Sequence, residues 1–221
     1  MSRPLVLIGA GEFAQIACEY FTHDSDYDVV AFSVEREYLA QPSLADRPVV
    51  PYEDLEVRYP PADYDVFVAI PASQLNRLRT RFYLDAKRRG YRCASYVSTR
   101  AFVWRNAEVG ENTFIFENNV IQPFVRVGNN CVLWSGNHVG HRVVVDDHVF
   151  IASHAVISGY CHIGESSFVG VNTTFNDKVK VAHDNVIGSG ALVTSDTEPG
   201  KVYVGSPARA LPGRSSFDVR L

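Results

Sequence analysis

The sequence of 221 residues has little of what marks redox, nucleic-acid-binding or membrane proteins. Its four cysteines form no CxxC pair: they are Cys18, Cys93, Cys131 and Cys161. Scattered cysteines of this kind indicate reduced thiols and a cytoplasmic location. The net charge of -4 provides no basic surface, so we expect neither nucleic acid nor an anionic membrane as a partner. No apolar run could span a bilayer, and the opening PLVLIGAG is too short for the apolar part of a signal peptide.

The second half of the chain also lacks the periods of an ordinary helix or strand, which are 3.6 and 2 residues. In VGHRVVVDDHVFIASHAVISGYCHIGESSFVGVN (139–172) a valine or isoleucine recurs at every sixth residue. Six is the repeat length of a parallel β-helix built from hexapeptides. The same phase runs without a slip through seventeen positions, called the marked positions below: Val97, Val103, Val109, Ile115, Ile121, Val127, Leu133, Val139, Val145, Ile151, Ile157, Ile163, Val169, Phe175, Val181, Ile187 and Val193.

We therefore predict that residues 96–221 form an all-β, left-handed parallel β-helix with a C-terminal tail. Each hexapeptide would form one flat face, and three consecutive faces would close one turn of the coil. Stacked turns would then bury each marked side chain against the one below. Glycine often follows a marked position, as at Gly110, Gly128 and Gly140, where we expect the corners to need permissive backbone dihedrals.

A turn of three hexapeptides predicts which residues lie one above the other. Gly159 falls one turn above His141, and Asn172 falls one turn above His154. Cys131 and Cys161 are five faces apart, which excludes a disulfide between them. The flat sides of such a prism usually pack against further copies, so we expect a closed homotrimer.

Residues 1–95 have a different pattern, in which strands and helices alternate. An apolar strand (5–8) leads through a glycine turn into a helix, and YDVVAFSVE and DYDVFVAI are two further strands. SQLNRLRTRFYLDAKRRG is an amphipathic helix that ends at Gly90. This alternation predicts a small α/β domain of the half-Rossmann type, with a parallel sheet of the mononucleotide-binding kind.

The glycine turn GAGEFA (9–14) fits the pattern G-x-G-x-x-A between a strand and a helix. Its glycines would let backbone amides and the helix N-terminus approach a phosphate, although a tight turn that binds nothing has the same pattern. Glu35, in FSVE, is the candidate for the acidic residue expected after the second strand. About 90 residues make only half of a dinucleotide fold, which disfavours NAD chemistry.

A half-Rossmann domain followed by an unbroken hexapeptide β-helix resembles the bacterial sugar O- and N-acyltransferases. These include sialic acid O-acetyltransferases and nucleotide-linked amino-sugar N-acetyltransferases. The resemblance covers nearly the whole chain and extends to the closing KVYVGSPAR (201–209). It implies a homotrimer that moves an acetyl group from acetyl-CoA to a nucleotide-linked amino sugar, for surface glycan assembly. It also implies that acetyl-CoA lies between neighbouring subunits and that the glycine-turn domain holds the sugar nucleotide over the same cleft.

The resemblance assigns roles by position. His141 would be the general base and Gly159 the backbone donor to the thioester oxygen. Histidine suits this role because its pKa lies near neutrality, and a fixed amide can stabilise an oxyanion without a covalent intermediate. The contacts to CoA would be Gly159, Val171 and Ser189. The contacts to the sugar nucleotide would be Gly11, Glu12, Phe13 and Glu35, with His154 as a further candidate for substrate binding.

One departure from the family concerns the base. Relatives commonly carry an acid directly after it, which orients the imidazole, whereas this chain has Arg142. Glu117, Asp146 or Asp147 of a neighbouring subunit could take over that role. His138 is the second candidate for the base.

Three alternative functions remain open. One is a sugar O-acetyltransferase of the sialic acid type. Another is an inactive trimeric scaffold that binds sugar nucleotides, which Arg142 would explain. The third is a zinc hydrolase like the γ-class carbonic anhydrases. Zinc is disfavoured because the spacing of His141 and His154 is neither one turn nor an obvious interface pair, so we expect no metal.

Overall fold

The computed structural model describes residues 3–221, which divide into two compact units. One unit comprises the chain up to Pro71 together with Arg79–Tyr96, and the other comprises Ala72–Leu78 and Val97–Leu221. None of the helices within residues 3–221 combines the length and the hydrophobicity that crossing a bilayer requires.

The elements before the repeat region include one parallel sheet. They are β1 (Arg3–Ile8), α1 (Glu12–His23), β2 (Tyr27–Val34), β3 (Ser43–Leu44), β4 (Arg47–Pro51), α2 (Leu55–Arg58), β5 (Asp65–Val68) and α3 (Arg77–Arg88). Short 3-10 helices cover Arg36–Tyr38, Tyr52–Asp54 and, near the end of the chain, Ser216–Asp218. The strand order is β3-β4-β2-β1-β5, and every pair is parallel except β3 with β4.

The sequence predicted most of these elements but missed β3, β4 and the short helix α2. The segment RPVVP of β4 carries Pro48 and Pro51, and proline usually argues against a strand because it cannot donate to the ladder. Here the prolines are tolerated because β4 lies next to the edge of the sheet, where its neighbour on the outer side is the short, two-residue strand β3. The third strand predicted from the sequence, in DYDVFVAI, corresponds to β5. The description of this unit as a half-Rossmann domain stays a prediction.

The repeat region consists of seventeen two-residue strands. They are β6 (Tyr96–Val97), β7 (Phe102–Val103), β8 (Glu108–Val109), β9 (Phe114–Ile115), β10 (Val120–Ile121), β11 (Arg126–Val127), β12 (Val132–Leu133), β13 (His138–Val139), β14 (Val144–Val145), β15 (Phe150–Ile151), β16 (Val156–Ile157), β17 (His162–Ile163), β18 (Phe168–Val169), β19 (Thr174–Phe175), β20 (Lys180–Val181), β21 (Val186–Ile187) and β22 (Leu192–Val193). Two longer strands, β23 (Lys201–Val204) and β24 (Arg209–Ser215), follow.

These strands form three sheets, one for each face of the coil. The first face contains β7, β10, β13, β16, β19 and β22; the second contains β8, β11, β14, β17 and β20; the third contains the remaining strands. Each residue pairs with the residue three hexapeptides along the chain, as in Val120 with His138 and His138 with Val156. This register confirms a parallel β-helix with three hexapeptides in each turn, whereas its left hand stays a prediction.

The marked residues form the core of the coil. From Ile115 to Val193 all fourteen of them are buried, which confirms the stacking expected from the period. Val97 is 38% exposed, and Val103 and Val109 are half-buried, because the first turn has no turn beneath it. Burial of one aliphatic side chain in each hexapeptide is the main stabilising term of such a coil.

The corners do not use glycine in the way that the sequence suggested. Every sixth residue from 112 to 190, three positions after a marked residue, has a positive φ: Asn112, Asn118, Phe124, Asn130, Gly136, Arg142, His148, His154, Tyr160, Ser166, Asn172, Lys178, Asp184 and Gly190. Only two of these fourteen are glycine, so the corners tolerate other residues in the left-handed region. The predicted dihedral role of the glycines that directly follow marked positions is wrong.

Those glycines instead allow neighbouring turns to approach closely. A Cβ atom on Gly164 would lie 2.7 Å from the backbone of both Ala182 and His183 in the next turn. A Cβ on Gly110 would lie 2.6 Å from the backbone of Gly128. Contacts this short with backbone atoms cannot be relieved by a rotamer change, so these two positions have room for glycine only.

A buried polar ladder follows the corner between the second and third faces. The side chain of Asn112 donates to Asn130 at 2.7 Å, and Asn130 contacts Nδ1 of His148 at 3.0 Å. One turn further, Ser166 accepts from Arg77 at 2.8 Å. The ladder satisfies polar corner side chains that would otherwise be costly to bury.

Replacement of Gly164 by alanine should destabilise the coil by about 1–3 kcal/mol, because the added Cβ overlaps the backbone of the next turn. Thermal unfolding followed by circular dichroism measures the change. Ser158→Ala is the matched control, since Ser158 already carries a Cβ at the same register and its truncation should cost less than about 0.5 kcal/mol. Equal melting temperatures for the two variants would show that close approach does not constrain this corner.

Candidate functional site

His141 lies on the corner that leaves the first face, directly after β13. Its backbone N–H donates to Oε1 of Gln122 in the turn below at 2.9 Å, which fixes the corner. Its imidazole lies against Gly159 of the turn above, where a Cβ would be 2.5 Å from Cε1 and 2.8 Å from Nε2. The predicted stacking of Gly159 on His141 is therefore observed, and only glycine leaves room for the ring in this position.

Gly159 is a buried residue, and its backbone amide has no hydrogen-bond acceptor within residues 3–221. One turn below, the equivalent amide of His141 is taken up by the side chain of Gln122. The position equivalent to Gln122 beneath Gly159 is Gly140, which has no side chain to accept this bond. A Cβ on Gly140 would lie 2.8 Å from the Gly159 nitrogen. Gly140, which the sequence analysis treated as an ordinary corner residue, thus leaves this donor uncovered.

Tyr160 is a second residue that the sequence analysis missed. Its ring makes an edge contact with the His141 imidazole, with ring centroids 5.1 Å apart and an interplanar angle of 83°. Tyr160 is about half exposed, so the contact lies at the surface of the corner. Its position one turn above Arg142 was available from the sequence, but the direction of its ring was not.

The acids proposed to orient His141 have other partners within the described chain. Asp146 bonds His162 at 2.8 Å, Asp147 accepts from the Asn129 backbone at 2.7 Å, and Glu117 accepts from Ser135 at 2.6 Å. Within residues 3–221 neither ring nitrogen of His141 has a hydrogen-bond partner. Steric contact with Gly159 and Tyr160 therefore positions this imidazole in the single chain.

Arg142 extends along the same corner in the opposite direction from His141. Its guanidinium carbon lies 4.4 Å from the centroid of the Phe124 ring, one turn below. Both residues are exposed, and Arg142 forms no ion pair within the described residues. The charge of Arg142 is thus held by an aromatic ring and not by a carboxylate.

The second group of predicted residues lies on the corner that leaves the third face. His154 has a φ of 62° and is exposed, and its ring lies over Gly136. Val171 is 40% exposed, and its carbonyl accepts from the amide of Gly190, next to Ser189. The first face, which carries His138, separates this corner from that of His141. In a single chain the predicted site residues of the coil therefore form two groups, one on each of these corners.

The glycine turn of the first unit lies at the carboxyl end of β1, between β2 and β5 in the sheet. Gly9 has a φ of 121°, and a Cβ there would lie 2.7 Å from the carbonyl oxygen of Ala69, so glycine is required. Gly11 caps α1 and borders open space. In the strand order β2 and β4 follow on one side of β1 and β5 lies on its other side, and open α/β sheets bind ligands where the order reverses in this way.

The other predicted nucleotide contacts near this turn differ in how far their side chains are exposed. Glu12 is exposed in the first turn of α1, whereas the side chain of Phe13 is buried against Phe67, 6.3 Å away between ring centroids. A contact from Phe13 to a ligand would therefore come from its backbone. Glu35 directly follows β2, as expected, and its carboxylate pairs with Arg81 at 3.0 Å.

The cysteines do not provide an alternative nucleophile. All four are free and buried, and burial raises the pKa of the Cys18 and Cys161 thiols. A raised pKa keeps a thiol protonated and unreactive.

Among residues 3–221 there is also no group of three histidine, cysteine or acidic side chains arranged to hold a metal ion. An open groove of about 570 Å³ runs along the second face, but it contains neither His141 nor Gly159.

The chain is similar to one protein family and to several solved structures. Residues 92–202, which are 111 of the 221, match the family model described as GMPPB C-terminal domain. The acetyltransferase domain of PglB from Neisseria gonorrhoeae FA1090 is 26% identical in sequence and has a TM-score of 0.86. That alignment covers 95% of this chain and 100% of the other.

Two further structures contain ligands. The same PglB domain in complex with acetyl coenzyme A matches with 24% identity and a TM-score of 0.85, over 96% of this chain and 100% of the other. PerB from Caulobacter crescentus in complex with CoA and GDP-perosamine matches with 22% identity and a TM-score of 0.85, over 94% and 97%. The resemblance to bacterial sugar acyltransferases that the sequence predicted is confirmed.

Replacement of Gly159 by alanine should displace the His141 imidazole, because the added methyl would occupy the place of Cε1. The side chain of His141 is exposed and can rotate, so we expect the protein to stay folded. NMR spectra of the histidine ring protons would show the change as new His141 shifts and loss of the edge contact with Tyr160. Ser158→Ala should leave these signals in place, and unchanged signals in Gly159→Ala would contradict the observed packing.

Proposed function

The chain belongs to the family of the GMPPB C-terminal domain, and we propose that its repeat region is the catalytic part of a sugar acetyltransferase. The donor would be acetyl-CoA and the acceptor a nucleotide-linked amino sugar, whose acetylated product enters glycan assembly. The observation that carries this proposal is the His141 imidazole beside the uncovered amide of Gly159. The ligands named for the PglB domain and for PerB support the same pair of substrates.

In the proposed reaction His141 removes the proton from the acceptor amine or hydroxyl as that group attacks the thioester carbonyl. The N–H of Gly159 donates to the oxygen on which negative charge develops. Collapse of the tetrahedral intermediate forms the amide or ester and expels the thiolate of CoA, which takes up a proton. Since the backbone ladder fixes the corner, the Gly159 amide does not have to reorganise during the reaction, and contacts with Gly159 and Tyr160 hold the imidazole beside it. Val171 and Ser189 would contact CoA, and His154 would contact substrate.

The acceptor's nucleotide would bind at the carboxyl end of β1. Gly9 makes the tight turn, and the N-terminus of α1 after Gly11 offers backbone amides to a phosphate. Glu12, the Phe13 backbone and Glu35 would complete this contact. Our proposal includes a half-Rossmann fold for this unit.

We also propose a homotrimer of left-handed coils as the active form. Large apolar side chains on the first face and its corner support this: Phe102, Trp104, Phe124, Val156 and Tyr160 are between 41% and 53% exposed. Such a patch is unusual on a protein that functions alone. Packing between copies would bring the corner of His141 in one chain to the corner of Val171 in another.

His141→Ala should reduce acetyl transfer by at least about 100-fold, because the general base is lost. Release of CoA thiol is measured with acetyl-CoA and a panel of amino-sugar nucleotides, and with sialic acid as the test for O-acetylation. Sedimentation equilibrium of the same variant checks that the trimer persists. Retained full activity would move the base elsewhere, to His138 first. Wild-type protein inactive on every acceptor would favour the scaffold alternative.

Gly140→Ala should lower kcat by about tenfold or more, because its Cβ would block the Gly159 amide that stabilises the oxyanion. Gly164→Ala is the matched control: it crowds the backbone at the same register of another corner, away from His141. Steady-state kinetics of both variants separate the two effects. A loss of kcat that is equal in both would trace to general destabilisation, and the oxyanion role of Gly159 would be wrong.

A further inference from the structure

The corner of His141 presents a positive charge that the reaction proposed above does not use. Arg142 directly follows the base, and its guanidinium lies 4.4 Å from the ring centroid of Phe124. A guanidinium stacked on an aromatic face loses little freedom when it binds a ligand, and its planar N–H groups match the oxygens of a phosphate.

The charge of Arg142 is not compensated within the described chain. The nearest acids in sequence are engaged, Asp146 by His162 and Asp147 by Asn129. Some exposed arginines are paired, such as Arg126 with Glu108 and Arg81 with Glu35, whereas Arg142, like Arg105, has no carboxylate partner among the described residues. An exposed cation that is held in place but has no carboxylate partner remains available to an anion from solution.

Both substrates of the proposed reaction carry phosphates. We propose that Arg142, held on the ring of Phe124, binds a phosphate oxyanion of a substrate and thereby positions that substrate against His141. This inference rests on the proposed function for the identity of the substrates, but not for the anion site itself. The phosphate belongs either to the thioester donor or to the nucleotide of the acceptor, and the same chemistry serves both.

The proposal also explains why an arginine can stand where relatives have an acid. A carboxylate at this position would repel a substrate phosphate, whereas a guanidinium attracts it and can donate two hydrogen bonds at once. Arg142 is therefore assigned to substrate positioning and specificity, not to proton transfer.

The test is a set of calorimetric titrations with CoA, UDP and GDP, which need no turnover. We expect Arg142→Gln to weaken the binding of at least one of these ligands by about tenfold or more, as for a lost charge-assisted bond. Arg142→Lys should recover part of the loss. Phe124→Leu should weaken the binding of the same ligand by about threefold, because the charge remains but the aromatic ring that holds it is lost.

Arg126→Gln is the control, since it removes an exposed arginine from the second face and should leave all three affinities unchanged. A loss confined to CoA assigns the phosphate to the donor, and a loss confined to a nucleoside diphosphate assigns it to the acceptor. The proposal is overturned if Arg142→Gln binds every ligand like the wild type, if Arg126→Gln weakens binding equally, or if the wild type binds none of the three. Normal Arg142-dependent binding without any acetyl transfer would instead contradict the proposed function alone.

Discussion

The backbone ladder between consecutive turns is the constraint on which the rest of this structure depends. Each short strand pairs with the strands one turn before and one turn after it, as Val120, His138 and Val156 do. An inserted residue would rotate every later marked side chain out of the core. The ladder therefore requires an uninterrupted period of six, and the same period sets the height of every corner residue along the coil.

That constraint also determines what the corner of His141 can contain. Strands in a ladder lie about 4.8 Å apart, so side chains that point along the corner must share that height. The imidazole occupies the space above its own turn only because Gly159 has no side chain there. The amide of Gly159 stays uncovered only because Gly140 has none below it. Two absent side chains thus leave one imidazole and one backbone donor side by side on a rigid backbone.

Sequence reasoning found those features that depend on the period and missed those that depend on side-chain direction. The stacking of Gly159 on His141 follows from counting three hexapeptides along the chain. The edge contact of Tyr160 depends on where atoms point inside a turn, which no spacing gives. The same is true of the Gly159 amide, which stays free because Gly140 has no side chain to accept its hydrogen bond. The left-handed corner residues were missed because asparagine, histidine and arginine occupy positions for which only glycine is an obvious signal. β4 was missed because its prolines resemble those of a loop.

A neighbouring carboxylate is one way to hold a catalytic imidazole, but it is not the only physical one. A carboxylate fixes the ring by a hydrogen bond and also stabilises its protonated form. Contacts with Gly159 and Tyr160 supply the first effect without the second. An arginine beside such a ring adds no acid, yet it can bring a negatively charged substrate to the ring. Exchange of an acid for Arg142 is thus compatible with catalysis, provided that the rigid corner orients the imidazole and substrate binding benefits from the charge.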